Sequence, residues 1–119
     1  MKREAFPKSQ RVLCRADFLR IQSTGLRVRK KHMVGLYLRR KDDNHRLGLV
    51  VSRKVGGAVV RNRVKRIFRE TYRRMESPAS GLDVVVIARA SAAQARHENL
   101  VSQFQQLILE MPIVGGAHE

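Results

Sequence analysis

The stretch that most narrows what this chain can become is residues 52–69, Ser-Arg-Lys-Val-Gly-Gly-Ala-Val-Val-Arg-Asn-Arg-Val-Lys-Arg-Ile-Phe-Arg, a paired glycine turn leading into a run of helical period. Wound at about 100° per residue, the segment puts Val60, Val64, Ile67, Phe68, Thr71, Tyr72 and Met75 on one side, the stripe a core would cover. Lys65, Arg69, Asn62, Arg73 and Arg66 share an arc of roughly 100° on the other side by the same geometry. Arg63 and Arg74 fall beyond that arc near Glu70, which is spaced to pair with Arg66 or Arg74. A helix predicted over 58–75 must therefore lie with one side on a core and crowd cations on the other.

Such crowding is costly unless an anion relieves it. From residue 53 to 74 there are nine Lys or Arg against one acid, Glu70. A solvated face of a merely basic protein is the plain alternative. Asn62 within the arc, the glycines before it and the free N–H groups of a helix start favour phosphate instead. The rest of the chain agrees: the net charge is +15, with 23 basic and 5 acidic side chains over residues 1–74 and 2 and 5 over residues 75–119. Charge so unevenly placed points to a polyanionic partner.

At 119 residues, with 43% hydrophobic residues, the expectation is one domain over 1–119. Residues 1–14 read as a basic extended arm and 113–119 as a frayed tail. No apolar run is long enough to span a bilayer, there is no Trp to anchor a membrane-surface helix, and the start has no signal-peptide core. A cytoplasmic protein without a membrane partner is expected. Cys14, the only cysteine, allows no internal disulfide and reads as a small, partly buried residue.

Along the chain, Asp17–Gln22 reads as a short helix ending before Gly25. Val34–Leu38 and Leu47–Val51 alternate as strands about the polar turn 41–44, which predicts an antiparallel hairpin, with Arg27–His32 as a further edge strand. Ser77-Pro-Ala-Ser-Gly81 is a break, Asp83–Ala88 a buried central strand, and Glu98–Met111 an amphipathic helix that Pro112 stops and that covers the sheet. The order is α+β, one sheet with helices packed on it.

These residues resemble the bacterial ribonuclease P protein family. The likeness runs through Phe6-Pro-Lys-Ser-Gln-Arg-Val-Leu, Asp17-Phe18, Arg46-Leu-Gly-Leu-Val-Val-Ser-Arg-Lys54, Arg61-Asn62-Arg63 with Lys65-Arg66, and Asp83-Val-Val-Val-Ile-Ala-Arg89. It implies a single mixed β-sheet with three helices and a left-handed βαβ crossover, ribosomal protein S5 domain 2-like, where the general rule gives a right-handed one. It also implies the non-catalytic protein subunit of an endonuclease whose RNA subunit hydrolyses precursor tRNA to release the 5′ leader. The divalent cation, magnesium, is then held mainly by RNA, the protein alone binds no cofactor, and no obligate protein partner is expected.

Two site sets follow from the resemblance. Arg61, Asn62, Arg63, Lys65, Arg66 and Arg69 match the helix that docks on the catalytic RNA. Phe18, Arg53, Lys54 and Arg89 match the cleft for the single-stranded leader, where a ring stacks on a base and cations follow the backbone. The family often has a second aromatic one turn after the first, where this chain has Gln22, and its strand aromatic, Tyr37, falls on the opposite pleat.

Other chemistries find little support. Asp42-Asp43 reads as a solvated turn, His32, His45, His97 and His118 lack ligand spacing and read as surface residues, and Gly56-Gly57 lacks the spacing of a nucleotide loop. No protein catalytic residue or metal site is expected. A ribosomal or general RNA-binding protein without processing activity is the competing reading.

Overall fold

The computed structural model describes residues 15–42, 44–75 and 81–116. The arm over 1–14 with Cys14, Asp43, the Ser77-Pro-Ala-Ser break, and 117–119 with His118 lie outside the described residues.

Helix α1 (Arg15–Thr24) precedes strands β1 (Leu26–Arg29), β2 (Met33–Arg39) and β3 (Arg46–Val50). Then come α2 (Ala58–Arg74), β4 (Leu82–Ala88), a 3-10 helix (Ala90–Gln94) and α3 (His97–Gly116). The strands form one mixed sheet in the order β1-β2-β4-β3, with β1–β2 and β2–β4 antiparallel and β3–β4 parallel. The parallel pair is joined through α2, as the βαβ expectation requires.

The hairpin expected between Val34–Leu38 and Leu47–Val51 does not form, because β4 lies between the two strands. The Val84-Val85-Val86 run is fully buried on both pleats, so a central place covers apolar surface that an edge place would leave wet. The 40–44 link grips the start of β4 instead: Arg40 N–H donates to the Gly81 carbonyl at 2.8 Å, and Gly81 N–H to the Asn44 carbonyl at 3.0 Å.

The two sheet faces are covered unequally. Tyr37, Leu47, Val84 and Val86 point toward α2 and α3, where Val64, Phe68, Tyr72, Leu100, Phe104 and Leu107 complete the larger core. Phe68 stacks on Phe104 with centroids 5.1 Å apart, and Tyr72 meets Phe104 edge-on at 6.4 Å, contacts each worth about 0.5–1.5 kcal/mol beyond their buried area. Gly35 lets α3 come close, since a Cβ there would stand 2.4 Å from Met111 Cε and 2.6 Å from Leu107 Cδ2.

On the other face Ile21 of α1 seals onto Leu36 and Val85, with Phe18, Leu38, Val50 and Ile87 only partly covered.

α3 continues past Pro112 to Gly116 rather than stopping there. A proline removes one intrahelical donor, here the partner of the Ile108 carbonyl, which weakens the local ladder without obliging the backbone to leave helical angles. The 113–119 tail is accordingly helical as far as Gly116.

Candidate nucleic-acid interface

The core stripe of α2 falls where its period places it, with Val64, Ile67, Phe68, Thr71 and Tyr72 buried. The opposite side therefore carries the cations. Gly56 adopts φ +156°, and a Cβ there would also press on Val60 at 3.1 Å, so this glycine makes the turn while Gly57 has open space around it. Gly57 caps the helix without a side-chain hydrogen bond, and no acid occupies the first turn.

An open concavity of about 660 Å³ runs along α2, lined by Val59, Asn62, Arg63, Arg66, Arg69, Glu70 and Arg73. Of the six residues matched to catalytic-RNA docking, Asn62, Arg63, Arg66 and Arg69 meet in this groove, whereas Arg61 and Lys65 are outside its lining. Arg63 is held by a hydrogen bond from Nη2 to the Ala95 carbonyl at 3.1 Å, which ties the groove to the segment after β4. Arg73 belongs to the groove though it was left out of that set, and its position on the cationic arc is the signal that could have included it.

The second surface is the incompletely covered sheet face. α1 crosses this face at one end: Asp17 bridges Arg46 of β3 at 2.9 Å, Arg20 approaches Asp83 of β4 at 3.6 Å, and a Cβ on Gly25 would strike the Tyr37 carbonyl of β2. Beyond the helix, the paired row Val34, Ile87 and Val50 stays half-buried. Phe18 borders this apolar strip from the helix side. Arg89 leaves β4, and Arg53 and Lys54 leave β3, at the far end, all three exposed, because the two strands run parallel. Phe18 thus lies beside the strip, and Arg53, Lys54 and Arg89 follow the strand ends beyond it.

Pairing also brings exposed Arg27 and Arg29 to this face, opposite Leu36 and Val34 on the edge strand. The strand period of 26–29 could have revealed them, once paired in register. Gln22 is half-buried one turn after Phe18, and Tyr37 lies on the opposite pleat in the larger core, 1% exposed, its buried hydroxyl without a hydrogen-bond partner among the described residues. Phe18 is accordingly the aromatic that α1 offers here.

At the α1 end of the strip sits an ionic cluster that the sequence did not announce. Asp83, 2% exposed, accepts from Arg40 Nη1 at 2.8 Å and from Arg46 Nε and Nη2 at 2.9 and 2.8 Å. Burial alone would raise its pKa, but the hydrogen bonds from Arg46 and Arg40 reverse this and hold the carboxyl below its ordinary value. Arg40 also grips Asp42, whose pKa that contact lowers, so this acid is a turn anchor.

Two of the histidines, His32 and His45, depart from the surface placement expected of them. His32 is buried beneath α3 and the 3-10 helix, with its N–H donated to Gln103 Oε1 at 3.1 Å and Nδ1 bonded to Ser91 Oγ at 2.7 Å. His45 is half-buried against the Tyr72 hydroxyl, and His97 is exposed. Covered imidazoles are tolerated because their polar atoms find partners. Among the described residues no group of three or more His, Cys, Asp or Glu could hold a metal ion, and no helix is long and apolar enough to cross a membrane.

Fold and surface together define a basic α+β protein that groups its cations on two sides of one mixed sheet. A family model described as Ribonuclease P matches residues 6–111. The chain is 38% identical over 104 residues to a ribonuclease P protein component from Desulforapulum autotrophicum, covering 87% of this chain and 89% of that one. It is 35% identical over 108 residues to one from Geotalea uraniireducens, covering 91% and 96%. The solved RNase P protein of Staphylococcus aureus superposes with a TM-score of 0.79 at 34% identity, over 84% of this chain and 93% of that one. That of Thermotoga maritima gives 0.78 at 32% identity, over 85% and 96%. The chain belongs to the ribonuclease P protein family.

Proposed function

We propose that this protein is the non-catalytic subunit of ribonuclease P, binding the catalytic RNA and the 5′ leader of precursor tRNA while the RNA removes the leader. The observation that carries the reading is the α2 groove, in which Arg63, Arg66, Arg69 and Arg73 line one concavity in a member of this family. Four guanidinium groups there neutralise phosphates and release their counterions. Arg61 and Lys65 extend the docking surface on the flank.

The strip of Val34, Ile87 and Val50 takes the leader. Phe18 stacks on a base at about 1–3 kcal/mol, and Arg27, Arg29, Arg53, Lys54 and Arg89 follow the backbone. The hydrolysis belongs to the RNA and its magnesium ions, and no side chain of this chain is assigned a bond-breaking role. The working place of the assembly is the cytoplasm.

Reconstitution from the protein and its catalytic RNA tests this. Stimulated 5′ cleavage of precursor tRNA at low magnesium is expected; unchanged cleavage would favour a general RNA-binding protein.

A further inference from the structure

Among the described residues Glu70 is the one carboxylate lining the α2 groove, beside Arg63, Arg66, Arg69 and Arg73. It lies four residues from Arg66 and Arg74 and three from Arg73, spacings at which helical ion pairs close. Yet no ion pair to Glu70 forms among the described residues, and the half-buried side chain stays open to the groove. In a trough for phosphates alone this charge is a defect, since it repels the backbone that the arginines attract. A carboxylate in such a place suits a ligand that brings hydrogen-bond donors.

RNA offers few groups that present two donors side by side. The N1–H and N2–H of guanine do so, spaced to meet both oxygens of one carboxylate as a guanidinium does. In a duplex that edge is spent on cytosine, so the base must be unpaired, the state in which RNA sequence is read. Val59, 84% exposed on the same groove, offers an apolar surface to the face of such a base.

We infer that Glu70 reads the Watson–Crick edge of an unpaired guanine in the catalytic RNA, while the surrounding arginines hold the flanking phosphates. This inference rests on the α2 docking proposed above. It turns the groove from a general phosphate trough into a site with base preference.

The near-isosteric change Glu70→Gln, assayed for binding to the catalytic RNA, separates the possibilities by sign. Loss of a bidentate base contact weakens affinity about tenfold, within the range of one good pair. The salt slope stays unchanged, because no phosphate contact is lost. One guanine protected by the native protein from reagents attacking its N1 and N2 becomes reactive in the variant complex. Replacing that guanine with inosine, which lacks the N2 amino group, weakens binding of the native protein and shrinks the difference between native and variant. Tighter binding of the variant, the result for a carboxylate that merely opposes a polyanion, overturns the inference, as does an unaltered guanine reactivity pattern. Failure of the docking reading itself looks different: Arg66→Ala and Arg69→Ala would then leave both affinity and salt slope unmoved.

Discussion

Replacing Asp83 with Asn tests the contact that fastens the candidate leader face. The carboxylate side chain is 3% exposed and accepts three hydrogen bonds from two arginines, with Arg20 of α1 beside it at 3.6 Å. An amide keeps one acceptor but turns a second donor toward Arg46 Nη2, so one guanidinium N–H loses its partner and the cluster loses its buried negative charge. Breaking a buried ion pair from one side costs about 3–5 kcal/mol. Here Arg46 keeps Asp17 and Arg40 keeps Asp42, and both arginine side chains are 20% exposed, which lets water take part. The loss expected is therefore near the lower end, about 3 kcal/mol. For a chain of this length that corresponds to a melting point lower by roughly 10 °C. Urea unfolding followed by circular dichroism at neutral pH measures it, and a loss below about 1 kcal/mol would refute the account of Asp83 as a buried anchor. The pH dependence supplies the companion check. Because the native pKa is held below the ordinary carboxylate value, the contribution is present above that value and fades as pH falls through the lower native one. The stability gap between native protein and variant should shrink below about pH 4, and a gap independent of acid would contradict the ionised cluster.

Arg66→Ala and Arg69→Ala should each weaken binding of the catalytic RNA and reduce the slope of log K against log salt by roughly 0.7–0.9 per phosphate contact, as salt titrations of affinity would show. Phe18→Ala should lower the preference for precursor over mature tRNA by about 5- to 100-fold, the loss of one stacked base, with little effect on assembly; equal weakening for both substrates would speak against leader stacking. Tyr37→Phe should be neutral or stabilising by up to about 1 kcal/mol in urea melts, since it removes a buried hydroxyl that has no hydrogen-bond partner among the described residues.

The α2 helix was legible because its two chemistries alternate at helical period, so Val64, Ile67 and Phe68 declare the core side and the arginines the other. The strand Leu82–Ala88 was legible as central from the Val84–Ile87 apolar run. Which strands flank it was not, because alternation in Val34–Leu38 and Leu47–Val51 fixes a buried pleat and says nothing of the neighbour. The same limit hid Arg27 and Arg29: their face depends on pairing with Val34 and Leu36, a contact made only once β1 folds back. Asp83 looked like a strand's first residue, and its role depends on Arg40 and Arg46, which are remote in sequence. His32 misled for the opposite reason, since a polar residue in a basic segment is covered by α3 from far along the chain.

The placement of charge also explains why the two candidate surfaces can act together. Leu36 and Tyr37 are neighbours in sequence yet belong to separate cores, one under α1 and one under α2 and α3, so the two surfaces lie on opposite sides of the sheet. Phosphate chains held on one side alone would leave the cations on the other unrelieved, and two strands crowded onto one side would repel each other within a Debye length of about 8 Å. Separating them by a close-packed sheet removes that repulsion without a flexible joint, because a core at crystal-like density transmits position rather than absorbing it. In the proposed complex the sheet thus acts as a spacer of fixed width. Loosening the Asp83 cluster should then disturb leader selection through α1 while leaving the α2 groove, on the other side of the sheet, able to bind RNA.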